Sequence, residues 1–218
     1  TTQDEMVLIG HQAGDAINND TADGTIAIGH SALTALTSGA SNTAIGYETL
    51  KATTSSAGST ALGYQAGTAS TGAANVYIGS QAGLAAVAAE GNVVIGANAG
   101  SSMGDIDANI LIGREAGQYL KHTNTTKNVA IGKQALRGAN ADSTAPTNSV
   151  AIGYQALTAI TTGSANVALG MSSLLDNTTG GDNVSIGNYS SAENITGGSN
   201  IAIGTNALNY NESGANNV

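Results

Sequence analysis

The sequence predicts an all-β fold, a parallel β-solenoid or β-roll of about twelve coils with about 17 residues in each. Two observations predict it. A phrase of the form Asn-Val-Ala-Ile-Gly returns twelve times along the chain at nearly constant spacing. The composition is rich in Gly, Asn, Thr and Ser, which favours frequent turns between short strands. Stacking one repeated coil therefore accounts for the whole chain.

Each copy of the phrase ends in a glycine, and these glycines set the period. Neighbouring glycines are mostly 17 residues apart, with intervals of 16, 19, 19 and 21 as the exceptions. We expect residues 1–218 to form a single β-solenoid repeat domain, with irregular longer coils around 114–149. Asn217 and Val218 open a thirteenth copy, so we expect a fragment of a longer fibre. The repeat glycines are Gly10, Gly29, Gly46, Gly63, Gly79, Gly96, Gly113, Gly132, Gly153, Gly170, Gly187 and Gly204.

The composition excludes several classes of protein. The chain has no Trp, Phe or Cys, so its core must be filled by Val, Ile, Leu and Ala, and neither a disulfide framework nor a thiolate site can form. Only 10% of the residues are charged and the net charge is −9, which disfavours nucleic acid because phosphate binding needs clustered Lys and Arg. No apolar stretch approaches the length of a membrane span, so we expect no membrane insertion of this fragment.

The three residues before each glycine predict a short strand. The first and third of them form two flanking columns of mainly Val, Ile and Leu, for example Val150 and Ile152. Alternate residues of a strand share one face, so we expect the flanking columns to be buried inside the coil. The residue between them forms a central column, which reads Leu8, Ala27, Ala44, Ala61, Tyr77, Val94, Leu111, Ala130, Ala151, Ala168, Ser185 and Ala202.

The central column is expected to face outward, yet it is apolar almost throughout. A strand that is apolar on both faces is usually covered on both faces. We therefore expect the central column to pack against another chain, which predicts an oligomer.

Two further columns have a structural interpretation. Nine of thirteen residues four places before the glycine are Asn, which predicts a ladder of hydrogen-bonded side chains between coils. The fourth residue after the glycine is mostly Leu or Gly, and we expect Leu to fill the core and Gly to make tighter corners. Glycan attachment is the alternative for Asn-x-Ser/Thr triplets, which begin at Asn19, Asn124, Asn177, Asn183, Asn188, Asn194 and Asn211.

One stretch differs from the rest of the repeat and is the candidate binding surface. Five of the six basic residues and one histidine lie between residues 114 and 137, where longer coils also occur. Insertions in solenoids often become loops on the binding side. This basic belt could meet an anionic cell-surface glycan or a protein receptor, and the alternative is a solvated irregular turn. Its members are Arg114, Lys121, His122, Lys127, Lys133 and Arg137.

The residues directly after the first four glycines are His11, His30, Tyr47 and Tyr64. Such a column could form an exposed aromatic strip that packs on sugar rings, or simply a packing ladder at a corner. No catalytic set, phosphate loop or metal-ligand cluster stands out from the repeat. We therefore predict that the chain is not an enzyme and that it needs no cofactor and no metal.

The repeat phrase resembles two families of fibrous proteins. The stretches 148–153 and 199–204, Asn-Ser-Val-Ala-Ile-Gly and Ser-Asn-Ile-Ala-Ile-Gly, closely resemble the head repeats of trimeric autotransporter adhesins. The longer phrase Gly-Tyr-Gln-Ala-Leu at 153–157 resembles the repeats of bacteriophage tail fibres. The adhesin heads have shorter repeats, which favours the fibre. The resemblance covers essentially the whole chain and implies a left-handed coil and a homotrimer.

From the repeats and the resemblance we expect the structural shaft of a trimeric phage tail fibre, located in the virion, which spaces or presents a receptor-binding tip. The alternative is the head or stalk of a trimeric adhesin on the bacterial cell surface that binds host matrix or glycans. A depolymerase carried on a solenoid is a third interpretation, disfavoured by the lack of bulky aromatics. An ice-binding solenoid is disfavoured because no Thr-x-Thr column is present.

Overall fold

The computed structural model describes residues 5–18, 20–121, 127–139 and 146–218. Within these ranges the chain is all-β, with no α-helix and a short 3-10 turn at Asp20–Ala22. The strands have three residues each and are β1 (Val7–Ile9), β2 (Ile26–Ile28), β3 (Thr43–Ile45), β4 (Thr60–Leu62), β5 (Val76–Ile78), β6 (Val93–Ile95), β7 (Ile110–Ile112), β8 (Val129–Ile131), β9 (Val150–Ile152), β10 (Val167–Leu169), β11 (Val184–Ile186) and β12 (Ile201–Ile203).

All twelve strands form one parallel sheet in sequence order, which confirms the predicted β-solenoid. Each strand pairs with the equivalent residues of the next coil, as Val167 does with Val184 and Ala168 with Ser185. The register stays intact across the longer intervals, where Ile112 pairs with Ile131 and Ile131 with Ile152. The longer intervals therefore do not shift the register of the strands.

The predicted orientation of the strand faces was wrong. From Ala27 to Ala202 every residue of the central column is 0 to 2% exposed, so this column faces the interior of the coil. The flanking columns are half-buried or exposed throughout, for example Leu62 at 46% and Ile152 at 38%. The reason is the narrow interior of a 17-residue coil, which suits small side chains, whereas Val and Ile are displaced to the outer surface of the sheet.

The core is completed by size compensation between the central column and the fourth residue after the glycine. A central Ala is mostly followed by Leu at that position, as in the pair Ala151 and Leu157. A larger central residue is followed by Gly, as in the pair Leu111 and Gly117. A Cβ on Gly117 would lie 2.7 Å from Cδ2 of Leu111.

Leu and Gly at this position share one backbone conformation, so the prediction that Gly makes a tighter corner was wrong. Leu33 has φ +50° and Gly83 has φ +60°, both in the left-handed region. The choice between them follows the space available. Gly67 and Gly83 both face the ring of Tyr77, the largest residue of the central column.

Left-handed backbone recurs elsewhere in each coil. It also occurs two residues after the glycine, as at Gln65 (φ +54°), and five residues before it, as at Ala74 (φ +56°). Among the residues that the structure describes, 28 non-glycine residues have positive φ. These residues turn the chain between strands in so short a coil.

The repeat glycines are required by two constraints. Their φ values lie between +125° and +139°, a region that side chains with a Cβ rarely adopt. Most of them also stand directly beside the equivalent glycine of the next coil. A Cβ on Gly96 would lie 2.6 Å from the carbonyl carbon and oxygen of Gly113, closer than any van der Waals contact. Any other residue would push neighbouring coils apart.

The predicted asparagine ladder is present. The backbone N–H of Asn109 donates to Oδ1 of Asn92 (2.9 Å), and that of Asn92 donates to Oδ1 of Asn75 (3.0 Å). The Asn92 amide group also donates to the carbonyl oxygen of Ile106 (2.8 Å). These side chains are fully buried, so water cannot bond to them, and the bonds within the ladder satisfy polar groups that would otherwise be unpaired.

Several predicted glycan acceptors are inaccessible in the folded chain. Asn183 belongs to the ladder, and Asn177 and Asn194 are buried and hydrogen-bonded to Gly180 and Gly197. A transferase could not reach these three amides in the folded protein. Asn188 is exposed and Asn211 is half-buried, while Asn19 and Asn124 lie outside the described residues.

The size compensation can be tested by exchanging the two residues of one coil. Tyr77→Ala alone should destabilise the protein by about 3–5 kcal/mol because it leaves a cavity, and Gly83→Leu alone should destabilise it by overpacking against Tyr77. The double variant reproduces the Ala and Leu pairing of other coils. It should recover most of the stability lost in either single variant, measured by urea unfolding.

The control is the same Leu substitution at Gly91, where a Cβ would meet nothing within 4 Å. Gly91→Leu should not be rescued by Tyr77→Ala. Additive losses in the Tyr77 and Gly83 double variant would contradict the compensation.

Candidate functional site

The residues directly after the repeat glycines form an exposed column, which we call the ring column after its first four members. All of its residues are exposed. The column reads His11, His30, Tyr47, Tyr64, Ser80, Ala97, Arg114, Lys133, Tyr154, Met171, Asn188 and Thr205. Because equivalent residues of adjacent coils lie one strand spacing apart, neighbouring side chains in this column can touch.

The four N-terminal rings stack on one another along the sheet. Their centroids are 5.1 Å apart between His11 and His30, 5.2 Å between His30 and Tyr47, and 5.4 Å between Tyr47 and Tyr64. The planes of successive rings differ by only 11° to 20°. The rings pack as a ladder, which was one interpretation of this column, and they also remain exposed, which the other interpretation requires. The inner rings present their edges to solvent, and only the rings at the ends of the stack can present a face.

A second column lies beside the first and consists mostly of amide and carboxylate side chains. It contains the residues two places after each glycine, and we call it the amide column. Nε2 of Gln65 donates to Oε2 of Glu48 (2.9 Å), and Nε2 of Gln81 donates to Oε1 of Gln65 (3.2 Å). An equivalent series joins Glu115, Gln134 and Gln155 (2.7 and 3.1 Å). These bonds tie consecutive coils together at the surface.

The ring and amide columns touch side by side. Nδ1 of His30 and the hydroxyl group of Ser31 are 2.9 Å apart, and the Arg114 guanidinium forms an ion pair with Glu115 at 2.9 Å. A ligand lying on the ring column would therefore also reach the hydrogen-bonding groups of the amide column.

Hydrogen bonding shifts the pKa of both carboxylates in the amide column. The pKa of Glu48 is lowered chiefly by the hydrogen bond from Lys51 (2.6 Å), with a further contribution from Gln65. The pKa of Glu115 is lowered chiefly by the hydrogen bond from Gln134 and then by the charge of Arg114. Both groups are held in the ionised form that accepts these bonds.

The structure distributes the predicted basic belt over several columns. Arg114 and Lys133 occupy adjacent coils of the ring column. Lys133 lies over the ring of Tyr154, with Nζ 5.5 Å from the ring centroid, and the Arg137 guanidinium lies at the same distance over the ring of Tyr119.

The remaining members of the belt stand apart from these contacts. Lys121 and Lys127 are exposed in the part of the coil that returns to the next strand, and His122 lies outside the described residues. The belt is thus not one continuous column of cations. Arg114, Lys133 and Arg137 each have a carboxylate or aromatic neighbour, and sequence reasoning gave no indication of these contacts.

Acidic groups outside these columns have structural roles. Oδ1 of Asp105 accepts a hydrogen bond from the backbone N–H of Ala88 (3.0 Å), and Oδ1 of Asp107 accepts one from Glu90 (2.8 Å). Among the described residues, no group of three or more His, Cys, Asp or Glu side chains could hold a metal ion. None of the helical segments in the described ranges is long and apolar enough to cross a membrane.

The outer surface of the sheet is the other candidate functional surface. It is formed by the two flanking columns and carries Val, Ile and Leu side chains from the first strand to the last. The strip is about 55 Å long and about 7 Å wide, or about 400 Å², from the spacings of strands and residues in a sheet. Exposed apolar patches of this size often mark interaction sites. Sequence reasoning anticipated an apolar outer face but assigned it to the central column.

No protein-family model, curated protein or solved structure matches this chain.

The cause of the lowered pKa of Glu48 can be tested directly. Lys51→Met should raise that pKa toward the ordinary value of 4.5, because it removes the hydrogen bond that contributes most to the shift. Carboxyl NMR titration measures this change. In the unsubstituted protein, the stabilisation linked to Glu48 is present above pH 4.5 and is lost as the pH falls through the lowered pKa.

Lys133→Met serves as the control, since it removes a lysine from a distant coil and should leave the Glu48 titration unchanged. An equal shift in both variants would indicate a general charge effect and would contradict the role of Lys51.

Proposed function

We propose that the chain is the structural shaft of a trimeric phage tail fibre, which spaces or presents a receptor-binding tip for attachment to a host cell. The observation that carries this proposal is the uninterrupted sheet of twelve parallel strands in sequence order. Such a sheet extends in one direction by a constant step for every coil. A protein whose task is to hold two points apart needs this property.

Three features of the structure would make the shaft stiff. Backbone hydrogen bonds join each strand to its neighbours, the asparagine ladder joins coils in the interior, and the amide column joins them at the surface. The repeat glycines allow the close approach on which all three depend. The chain also has only six Lys and Arg residues, which leaves few sites for trypsin-like proteases.

The homotrimer is proposed to form through the flanking columns. A monomer would leave this long Val, Ile and Leu strip in water, whereas packing against further copies would cover it. The number three and the left-handed coil come from the resemblance of the repeat phrase to trimeric fibres. The central column cannot form the contact between chains because it is buried within each coil.

The adhesin head or stalk is the alternative function, with a location on the bacterial surface in place of the virion. It would use the same trimer and the same coil. Its distinguishing feature would be direct contact between the side of the rod and host matrix or glycans, and the exposed ring column offers a surface for that contact.

Location distinguishes the two functions. We expect peptides of this chain in purified virions, and we expect antibodies against it to label tail fibres in electron micrographs and to block adsorption to host cells. Recovery from the outer surface of bacteria, with no signal in virions, would refute the tail-fibre proposal and support the adhesin.

The assembly surface can be tested by adding charge to it. Ile131→Lys combined with Ile152→Lys places two cations on the exposed flanking columns and should convert the trimer into monomers, as measured by light scattering. The coil itself should persist, with an unchanged β circular-dichroism spectrum, because neither side chain fills the interior.

Thr162→Lys combined with Thr179→Lys is the matched control, since it adds the same charge at exposed turn positions and should leave the trimer intact. Ala151→Lys should instead unfold the coil, because Ala151 is fully buried. A trimer that survives the Ile131 and Ile152 substitutions, or an unsubstituted protein that is monomeric, would overturn the proposed interface.

A further inference from the structure

The ring column contains a gap whose dimensions suit a ligand. The stack of four rings ends at Tyr64, and the next two residues of the column are Ser80 and Ala97. The following coil carries Arg114. Three coil steps separate Tyr64 from Arg114, a distance of about 15 Å between their backbones. Small side chains thus leave two successive ring positions of the column empty.

The gap is a notch in the side chains and not a break in the coil. The backbone N–H of Gln81 donates to the carbonyl oxygen of Tyr64 (2.8 Å), and that of Asn98 donates to Ser80 (3.0 Å). The backbone N–H of Glu115 likewise donates to Ala97 (3.0 Å). The floor of the notch therefore has the same rigid, repeated backbone as the rest of the rod.

One wall of the notch is the free face of an aromatic ring. Tyr47 covers the other face of Tyr64 at 5.4 Å, with the two ring planes only 11° apart. The uncovered face therefore points along the sheet toward Ser80. The exposure of the two rings agrees with this arrangement, since Tyr64 is 51% exposed and Tyr47, stacked on both faces, is 43% exposed.

Hydrogen-bonding groups line the side of the notch. The amide column runs beside the ring column and contributes Gln81 and Asn98 in these two coils. Gln81 uses its Nε2 to donate to Gln65, which leaves its Oε1 available. In the described part of the chain, the side-chain amide of Asn98 makes no hydrogen bond.

From these features we infer that the notch binds one pyranose ring of a neutral saccharide, stacked on Tyr64. A pyranose has an apolar face of C–H groups, which packs on the negative face of an aromatic ring, and a rim of hydroxyl groups that bind amides. The rings of the column already stack at 5.1 to 5.4 Å, so a sugar ring would continue that series into the first empty position.

The charges of the site favour a neutral sugar over an acidic one. Arg114 is paired with Glu115, and the chain as a whole carries a net charge of −9. The proposal does not depend on the chain being a fibre shaft, because the notch is complete within one chain.

Saturation-transfer NMR on the whole protein tests the proposal, with methyl β-galactoside, methyl β-glucoside and methyl α-mannoside as probes. At least one probe should bind. Tyr64→Ala should weaken its binding about tenfold or more, because the stacking wall is lost. Ser80→Tyr combined with Ala97→Tyr should weaken it to a similar degree, because two further rings would fill both empty positions of the notch.

Two further results decide the outcome. Tyr154→Ala removes another exposed tyrosine of the same column, 43% exposed, and should leave binding unchanged. The Ser80→Tyr and Ala97→Tyr double variant separates the notch from a general affinity for tyrosine, which would predict stronger binding. Lack of binding by all three probes, or undiminished binding by the variant that fills both positions, would overturn the proposal.

Discussion

The backbone hydrogen bonds between successive coils are the interaction on which the rest of the structure depends. They fix the step between coils at about 4.8 Å, and each repeated column must then satisfy that spacing. Glycine fits this spacing where two backbones approach too closely for a Cβ atom, as at Gly96 and Gly113. In the interior, the asparagine side chain spans this spacing with a hydrogen bond to the next coil. At the surface, aromatic rings span it by stacking.

The second constraint is the small cross-section of a 17-residue coil. It admits one substantial side chain per coil at the junction of the strand and the following turn. Leu supplies that side chain in some coils and the central residue supplies it in others, as Tyr77 does beside Gly83. The apolar residues that remain lie on the outside of the coil, where the proposed contact between chains would cover them.

The sequence was sufficient for the fold class, the strand positions and the asparagine ladder, because each follows from a period that can be counted. It was insufficient for the direction of the strand faces. All three residues of a strand such as Val150–Ile152 are apolar, and alternation shows which residues share a face but not which face lies inside the coil. Side-chain volume decided the direction. The pairing of Leu with Ala, and of Gly with larger residues, is visible in the sequence and could have indicated it.

The surface could be predicted in part. The column of His11, His30, Tyr47 and Tyr64 was apparent from the period, but the direction of the ring faces required the three-dimensional arrangement. The basic belt was defined by its clustering along the chain. Stacking of coils separates residues that are close in sequence and brings together residues that are one coil apart. Arg114 and Lys133 are therefore neighbours, whereas Lys121 and Lys127 do not join them.

The 28 non-glycine residues that have positive φ in the described part of the chain affect how the protein folds. Each opposes the preference of an L-amino acid by about 1–2 kcal/mol, and most coils contain two or three of them. An isolated coil would adopt these unfavourable φ values without the hydrogen bonds to adjacent coils that offset them, so it has no stable folded form by itself. Folding must therefore begin with a rare nucleus of several stacked coils, to which further coils add one after another. The start of folding is slow for that reason. Coils in the middle of the completed rod also unfold slowly, because each is bonded to a neighbour on both sides.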